Sequence, residues 1–413
     1  MKLGNYALIL CLILPNPNIK AQNDYPYSKF NFNYIRTDKN KILFPGDSTD
    51  FNNLIKKINT TILTGEGKIQ IIHFGGSHIQ AGIYSGIVRK KLQQFFPGLT
   101  GGRGMIFPYG MSKTYTPHSY KFKYTGKWET CRNTEHKNCK LGLLGISAST
   151  KDSSATITLS LNPDEIKYEI NKIRIFHDTG KNNLKIKLYS DSIKYKIKEY
   201  PEQNYTLIET EKYLTNFKFK IFKTDTAQKT FTLYGFDLEN DFSGITYTDA
   251  GISGAAIPSF LRCNLLEKQL NVLKPDLIII SLGTNDTYGK NFSPERYKKH
   301  YSQFIEKIKN ALPQTAIMLT VPNDCYYKRT YPLPFTEDAE KVILELAKKY
   351  NCGVWDFYAV MGGYNSSYLW HKDKLMQNDL IHFTKKGYTI KGKLLFNAIL
   401  KMYDNYTEKR LKS

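Results

Sequence analysis

The sequence predicts an α/β fold, a parallel sheet with helices on both faces, interrupted by an inserted all-β sandwich or jelly roll. Strand and helix patterns alternate in two separate stretches of the chain, whereas the stretch between them shows only the two-residue alternation of β-strands. A chain of 413 residues that is 41% hydrophobic and 23% charged has a globular composition and enough length for two cores. Collagen-like, coiled-coil and wholly disordered chains are excluded by the same balance.

The first α/β stretch is a strand, a tight turn and a helix. Four of the six residues 69–74 are apolar, and two glycines followed by Ser77 end this strand pattern. Beyond Ser77, apolar side chains recur at helical spacing as far as Pro97. This unit is the first strand–helix repeat of the predicted parallel sheet.

From about residue 112 to 240 the hydrophobic period changes to two. Five segments alternate apolar and polar residues, near positions 155–161, 184–188, 193–197, 217–221 and 231–233. Turn-forming residues separate these segments, and no helical pattern intervenes. Because each half-buried strand needs a second sheet against it, we expect a β-sandwich over residues 112–243 with a core of its own.

The α/β pattern resumes at residue 244. We predict strands at 245–247, 277–281, 316–321 and 354–357, and helices at 261–273, 294–312, 336–350 and 387–402. Repeated strand–helix order implies right-handed crossovers and a parallel sheet. The predicted α/β domain therefore consists of residues 61–111 and 244–405, with an N-terminal extension over 22–60 and the sandwich as an insertion.

Residues 1–21 are predicted to be a cleaved secretion signal. Lys2 is followed by an apolar run over 7–14, which Pro15 and Pro17 break before the small residue Ala21. A run of this length is too short to cross a bilayer, and no later run approaches the roughly 18 residues required. We therefore expect a secreted or periplasmic protein without a transmembrane segment.

The chain carries 59 basic and 37 acidic side chains, a formal net charge of +22. Such a charge favours anionic partners such as an acidic polysaccharide. The basic residues are spread along the whole chain and form no arm or stripe, so a nucleic-acid partner is not expected.

Six cysteines include one in the predicted signal. Cys131 and Cys139 lie in a polar loop, and the sequence leaves open whether they pair in an oxidising compartment. Cys263, Cys325 and Cys352 lie near apolar segments and are expected to be buried thiols. No C-x-x-C pair exists, so a cysteine-based zinc site is not expected.

Polar residues and glycines follow several predicted strands at the point where each strand ends. Ser77 follows the first strand, Gly254 the second and Asn285 the third, while Asp379 and His382 lie just before the last helix. Ligands of open parallel sheets bind beyond the carboxyl ends of the strands. Each residue alone has an ordinary explanation as a helix cap, a turn residue or a surface pair, but together they supply the groups that acyl transfer requires.

Acyl transfer needs an activated nucleophile and donors for an oxyanion. A serine hydroxyl becomes nucleophilic when a base removes its proton, and the Asp-x-x-His spacing lets Asp379 orient His382 toward Ser77. The backbone amides of Ser77 and Gly254 and the side-chain amide of Asn285 are suitable donors to the tetrahedral oxyanion.

The order Ser, Gly, Asn, Asp-x-x-His resembles that of the SGNH (GDSL-type) hydrolase superfamily. Residues 74–82 (FGGSHIQAG), 101–104 (GGRG) and 283–286 (GTND) resemble its bacterial peptidoglycan O-acetylesterase branch, which also carries an inserted sandwich similar to carbohydrate-binding modules. The resemblance implies a flavodoxin-like three-layer α/β/α domain. It also implies a secreted serine esterase that removes O-acetyl groups from a polysaccharide or cell-wall glycan.

In that resemblance no cofactor or metal is required, and each site residue has a role. Ser77 is the expected nucleophile, His382 the base, Asp379 its orienting carboxylate, and Gly254 and Asn285 the oxyanion donors. The superfamily usually has Asp before the serine, where this chain has glycine at position 76. Loss of that carboxylate is expected to loosen the serine loop.

Alternatives remain open at this stage. A glycan O-acetyltransferase would use the same residues with a sugar hydroxyl in place of water, and a non-catalytic glycan-binding protein would keep only the fold. His73 lies within a predicted strand and is expected to be a core residue. His78 adjoins Ser77, but neighbouring side chains point apart, so it is a poor base and at most lines the pocket.

Overall fold

The computed structural model describes residues 27–162 and 166–411, and the predicted secretion signal lies outside them. The strands are β1 (Ile42–Leu43), β2 (Lys68–Gly75), β3 (Gly104–Ile106), β4 (Tyr120–Tyr124), β5 (Glu129–Arg132), β6 (Ile146–Thr150), β7 (Thr156–Leu161), β8 (Ile170–His177), β9 (Lys185–Leu188), β10 (Tyr195–Tyr200), β11 (Tyr205–Leu214), β12 (Asn216–Phe222), β13 (Phe231–Glu239), β14 (Gly244–Gly251), β15 (Leu277–Ser281), β16 (Ala316–Thr320), β17 (Tyr326–Tyr327), β18 (Tyr331–Pro332) and β19 (Gly353–Trp355). The α-helices are α1 (Thr49–Thr64), α2 (Ser77–Gln80), α3 (Tyr84–Gln93), α4 (Ile257–Leu261), α5 (Leu266–Leu273), α6 (Thr284–Thr287), α7 (Pro294–Ala311), α8 (Thr336–Tyr350), α9 (Phe357–Met361), α10 (Ser366–Lys372) and α11 (Lys385–Leu411).

A six-stranded sheet forms the centre of the α/β part, in the order β1-β19-β16-β15-β2-β14. All its pairs are parallel except β1 with β19. Numbered in chain order, its five parallel strands run 2-1-3-4-5, which is the flavodoxin-like arrangement. The predicted fold class is confirmed.

The two faces of this sheet are covered by different helices. Ile278 and Ile280 of β15 belong to the hydrophobic core that contains buried residues of α7 and α8. Leu277 and Ile279 alternate with them and belong to the second core, which contains buried residues of α11. The nearly all-apolar strand pattern therefore reflects burial on both faces.

Two antiparallel sheets lie in the stretch that showed the two-residue period. One contains β10-β11-β8-β13-β6-β5, with β3 also paired to β13, and the other contains β4-β7-β12-β9. Phe219 of β12 and Phe236 of β13 stack with ring centroids 5.1 Å apart, so the two sheets touch through their apolar faces. All five predicted strand segments are strands, and these sheets are consistent with the predicted insertion.

Tertiary contacts change several predicted boundaries. The helix predicted over 261–273 begins too early: α5 covers only Leu266–Leu273, α4 ends at Leu261, and between them the amide of Leu265 donates to the Leu141 carbonyl at 3.0 Å. The predicted extension over 22–60 contributes β1 to the central sheet, and α1 runs across its predicted end. Strand pairing with the antiparallel sheets begins at Gly104, before the predicted boundary at residue 112.

The predicted cysteine states are resolved by the structure. Cys131 and Cys139 form a disulfide. Cys263, Cys325 and Cys352 are free and buried, as their apolar surroundings indicated.

A buried ion cluster joins β14 to the segment that leads into β3. The Asp249 carboxylate accepts from Arg89 at 2.7 Å and from Arg103 at 3.0 Å, and the three side chains are at most 4% exposed. Burial alone raises the pKa of Asp249, but attraction to Arg89 and then Arg103 lowers it overall. One buried carboxylate therefore supplies the counter-charge for two buried guanidinium groups.

Replacement of this carboxylate should be strongly destabilising. Asp249→Asn is expected to lower the free energy of unfolding by about 3–5 kcal/mol, because two buried cations lose their counter-charge. Urea denaturation at pH 7 measures the change. Glu345→Gln, which breaks an exposed pair with Lys298, is the control and should change stability by less than about 1 kcal/mol. Equal effects of the two substitutions would contradict this account.

Candidate active site

Three predicted site residues form a continuous chain of hydrogen bonds. Ser77 Oγ lies 2.8 Å from His382 Nε2, although 305 positions separate the two residues. His382 Nδ1 lies 2.7 Å from Asp379 Oδ2. Ser77, His382 and Asp379 are all half-buried, so the chain of hydrogen bonds reaches the surface.

The loop before α11 fixes the carboxylate and the imidazole together. Asp379 Oδ1 accepts from the backbone amides of Ile381 and His382, both at 2.9 Å. Burial alone raises the pKa of Asp379, but the His382 side chain and these two amides lower it overall, below its ordinary range. The carboxylate is therefore ionised at neutral pH and keeps the proton of the imidazole on Nδ1.

Ser77 stands at the carboxyl end of β2, as the first residue of α2. The turn depends on glycine at position 75, because a Cβ there would lie 2.2 Å from Ile79 Cγ1. The Gly76 carbonyl accepts from the amides of Ile79 and Gln80 at 3.1 and 3.0 Å. Two backbone hydrogen bonds therefore join the residue before Ser77 to the first turn of α2.

Asn285 lies beside this loop. Its Nδ2 donates to the Ala255 carbonyl at 2.9 Å, and a Cβ added to Gly76 would lie 3.0 Å from the same nitrogen. A primary amide has two hydrogens, so one remains for a ligand. The side chain is exposed, next to the backbone that carries Ser77.

Gly254 occupies an exposed turn after β14, with φ +81°, a conformation that favours glycine. The residues on both sides are held: the Ser253 amide donates to Gln80 Oε1 at 2.6 Å, and Ala255 accepts from Asn285. The structure therefore brings together all four segments that carry the predicted site residues.

Two histidines near the serine are internal. His73 contacts Tyr247 Oη at 2.6 Å and Ser281 Oγ at 2.7 Å, and burial lowers its pKa to about 3, so its predicted place in the core is confirmed. His78 is also buried: its Nδ1 lies 2.8 Å from Tyr388 Oη, and its ring packs 5.2 Å from that of His382. Its ring therefore contacts the His382 ring and helps to hold it in place.

Among the described residues, no group of three His, Cys, Asp or Glu side chains is arranged to hold a metal ion.

Residues 224–390 match the model of the GDSL-like Lipase/Acylhydrolase family. Over these residues the chain is similar to that family. The matched range contains Gly254, Asn285, Asp379 and His382, whereas Ser77 precedes it because the antiparallel sheets separate β2 from β14 in the chain.

Solved structures are similar to this chain to different extents. A peptidoglycan O-acetylesterase structure has a TM-score of 0.73 over 88% of this chain and 99% of its own, at 17% identity. A lipase/acylhydrolase from Enterococcus faecalis matches at TM-score 0.30 and 24% identity, over 38% and 76% of the two chains. A family two carbohydrate esterase from Cellvibrio japonicus matches at TM-score 0.30 and 11% identity, over 69% and 99%. No curated protein matches the sequence.

Beside the candidate site, the disulfide-closed segment reaches the turn of Gly254. A Cβ on Gly254 would lie 3.9 Å from Thr134 Cγ2, and Thr134 lies between Cys131 and Cys139. Ion pairs of Glu135 with Arg132 and Lys137 also brace this segment. One border of the site therefore comes from the region of antiparallel sheets.

Gln80 is a positioning residue that the sequence did not single out. It is 2% exposed, and besides accepting from Ser253 it donates through Nε2 to Thr114 Oγ1 at 2.9 Å and to the Tyr115 carbonyl at 2.8 Å. It thus fixes the turn of Gly254 relative to the helix of Ser77. The available signals were its place three residues after the serine and its position within the stretch 74–82.

Loss of Gln80 should slow ester hydrolysis at this site without unfolding the protein. Gln80→Ala is expected to lower kcat for p-nitrophenyl acetate about 10- to 100-fold, because the turn of Gly254 loses its anchor. Gln94→Ala, an exposed glutamine at the end of α3, is the control and should leave kcat unchanged. A folded Gln80→Ala protein with unaltered kcat would contradict the positioning role.

Lys391 of α11 is a second unexpected residue. It is buried, and its Nζ lies 4.3 Å from the ring centroid of Phe357, 5.0 Å from that of Tyr84 and 5.1 Å from that of Phe383. Burial lowers its pKa to about 7, while the ring faces partly favour the ammonium form.

Lys391→Met should stabilise the protein in a pH-dependent way. Below pH 7 the amine is protonated in both the folded and the unfolded chain, so the full cost of burying the charge is present and the gain should be on the order of 2–4 kcal/mol. The gain should shrink as pH rises from 7 toward 10.5, the ordinary lysine pKa. Urea unfolding between pH 6 and pH 9.5, with the exposed Lys385→Met as control, measures it. A gain that is independent of pH would refute this account.

Proposed function

We propose that this protein is a secreted serine esterase that removes O-acetyl groups from a polysaccharide or peptidoglycan-type glycan through an acyl-serine intermediate. The observation that carries the proposal is the unbroken hydrogen-bond chain from Ser77 through His382 to Asp379, beside Asn285 and Gly254. A nucleophile, a base, an orienting carboxylate and oxyanion donors are the full set of groups for ester hydrolysis.

In the first half of the reaction, Ser77 Oγ attacks the acetyl carbonyl carbon while its proton passes to His382 Nε2. Asp379 stabilises the imidazolium through Nδ1 and does not itself take the proton. The carbonyl oxygen becomes an oxyanion, for which the second Asn285 hydrogen and the backbone amides of Ser77 and Gly254 are the proposed donors. The bond to the sugar oxygen then breaks, and that oxygen receives the proton from His382.

In the second half, water replaces the sugar alcohol. His382 accepts a proton from water as the water oxygen attacks the acetyl-serine carbonyl. The tetrahedral intermediate then breaks its bond to Ser77 Oγ, which regains a proton from His382, and acetate leaves. Each proton that the imidazole accepts is returned, so the protein is unchanged after one turnover.

The proposed glycan substrate is supported by the openness of the site and by the fold. Asn285 and Gly254 are exposed, and Ser77 is half-buried, so a polymer chain can approach the site from solvent. The solved structure that matches 88% of this chain is a peptidoglycan O-acetylesterase. Among the described residues no helix is long and apolar enough to cross a membrane, and export rests on the signal proposed at residues 1–21.

Substitution of the nucleophile tests the proposal. Purified protein should release p-nitrophenol from p-nitrophenyl acetate and free acetate from an O-acetylated glycan, and Ser77→Ala should abolish both. Asp379→Asn should lower kcat by about 10⁴-fold, because the imidazole loses its orienting charge.

Two controls accompany this test. A fluorophosphonate should label the natural chain but not Ser77→Ala, and melting curves should show that both variants fold. Acetate release that survives Ser77→Ala would contradict the serine mechanism. Transfer of acetyl to an added oligosaccharide, without release of acetate, would favour the O-acetyltransferase alternative.

A further inference from the structure

A cavity of about 720 Å³ opens beside the Asp379 end of the hydrogen-bond chain. Arg329, Lys372 and Lys374 line it together with His371, and Asp379 forms part of its wall. The cavity adjoins the chain of hydrogen bonds at Asp379, whose carboxylate contacts His382, and His382 in turn contacts Ser77.

The three basic side chains that line this cavity outnumber its one lining carboxylate, that of Asp379. Within residues 27–162 and 166–411, no carboxylate forms a salt bridge with Arg329, Lys372 or Lys374. The Asp379 carboxylate is already occupied by the imidazole and two amides. Asp373 lies between the lysines in sequence, but it accepts from Tyr34 Oη at 2.6 Å and is not part of the wall.

Two of these basic residues occupy left-handed backbone conformations. Arg329 has φ +65° and follows Lys328 with φ +46° at the tip of the β17–β18 hairpin, and Lys374 has φ +57°. A hairpin tip with two positive φ values favours Asn and Gly. Arg329 therefore occupies a tip position that Asn or Gly would fill at a lower conformational cost.

We propose that this cavity is a subsite for an anionic group of the substrate, so that the esterase acts on an acetylated glycan that carries a carboxylate or phosphate near its ester. This inference rests on the proposed function. The Arg329 guanidinium matches the planar oxygens of a carboxylate or phosphate, and the two lysines add point charges. The net charge of +22 draws polyanions to the whole molecule, whereas the cavity fixes one anion relative to Ser77.

The test uses two esters that differ by one charge: 4-acetoxybenzoate and methyl 4-acetoxybenzoate. The measured quantity is the ratio of kcat/KM for the anion to kcat/KM for the neutral ester. We expect Lys372→Glu combined with Lys374→Glu to lower this ratio at least tenfold, and Arg329→Gln to lower it about threefold to tenfold. A general loss of activity through misfolding would not change the ratio. At 1 M salt the difference between the natural chain and the variants should shrink, because the charges are screened.

The control makes the same change of total charge near the amino ends of the parallel strands, away from the cavity. Lys372 lies in the last turn of α10, and Lys374 lies just after that helix. The control lysines have matching positions: Lys348 lies in the last turn of α8, and Lys274 lies just after α5 with φ +49°. Lys274→Glu combined with Lys348→Glu should leave the ratio unchanged. An equal fall in both double variants would show only the long-range field and would overturn the subsite.

Competition distinguishes the sources of the anion. An oligogalacturonide supplies carboxylates and a glycerol phosphate oligomer supplies phosphates, and inhibition of neutral ester hydrolysis by either one, lost in the Lys372 and Lys374 variant, supports the subsite. Inhibition by neither, with unchanged ester ratios, overturns it while Ser77-dependent hydrolysis stands. If Ser77→Ala retains hydrolysis, the esterase proposal itself has failed.

Discussion

The parallel pairing of β2 with β14 on one side and β15 on the other is the constraint on which the candidate site depends. In this register Gly75 of β2 stands opposite both Gly251 of β14 and Ser281 of β15. Three strands that are distant in sequence therefore end on one line. Ser77, Gly254 and Asn285 follow that line within a few residues, at the switch point where ligands of such sheets bind.

Elements with strong local signals were predictable from sequence. The helix predicted over 336–350 has the bounds of α8, and Ser293 caps α7 by accepting from the Arg296 amide. Elements that depend on distant partners were not predictable. β1 has two residues and exists because β19 pairs with it, and the break between α4 and α5 is fixed by Leu141. Periodicity in the sequence contains no information about such partners.

The same division applies to the candidate site. Asp379 and His382 are three residues apart, so their spacing in the sequence indicated them as a candidate pair. The catalytic roles of all five site residues remain proposals. Gln80 reads as an ordinary polar residue on a short helix, and its buried contacts come from Thr114 and Ser253. Lys391 sits on a helix where a lysine is normally a surface residue. Its aromatic surroundings come from Tyr84 and Phe357, which lie on other elements.

The disulfide-closed segment around Thr134 has a consequence for how the chain is divided. This segment belongs to the antiparallel region, yet it borders Gly254 of the α/β part. Conversely, β3 lies in the first α/β stretch of the sequence, yet it pairs with β13 of the antiparallel region. The two parts therefore share one border of the site and the backbone hydrogen bonds between β3 and β13. Excision of residues 112–243 would leave β3 with an unpaired edge and open the cleft on one side, so a truncated hydrolase domain is not the minimal unit of this architecture.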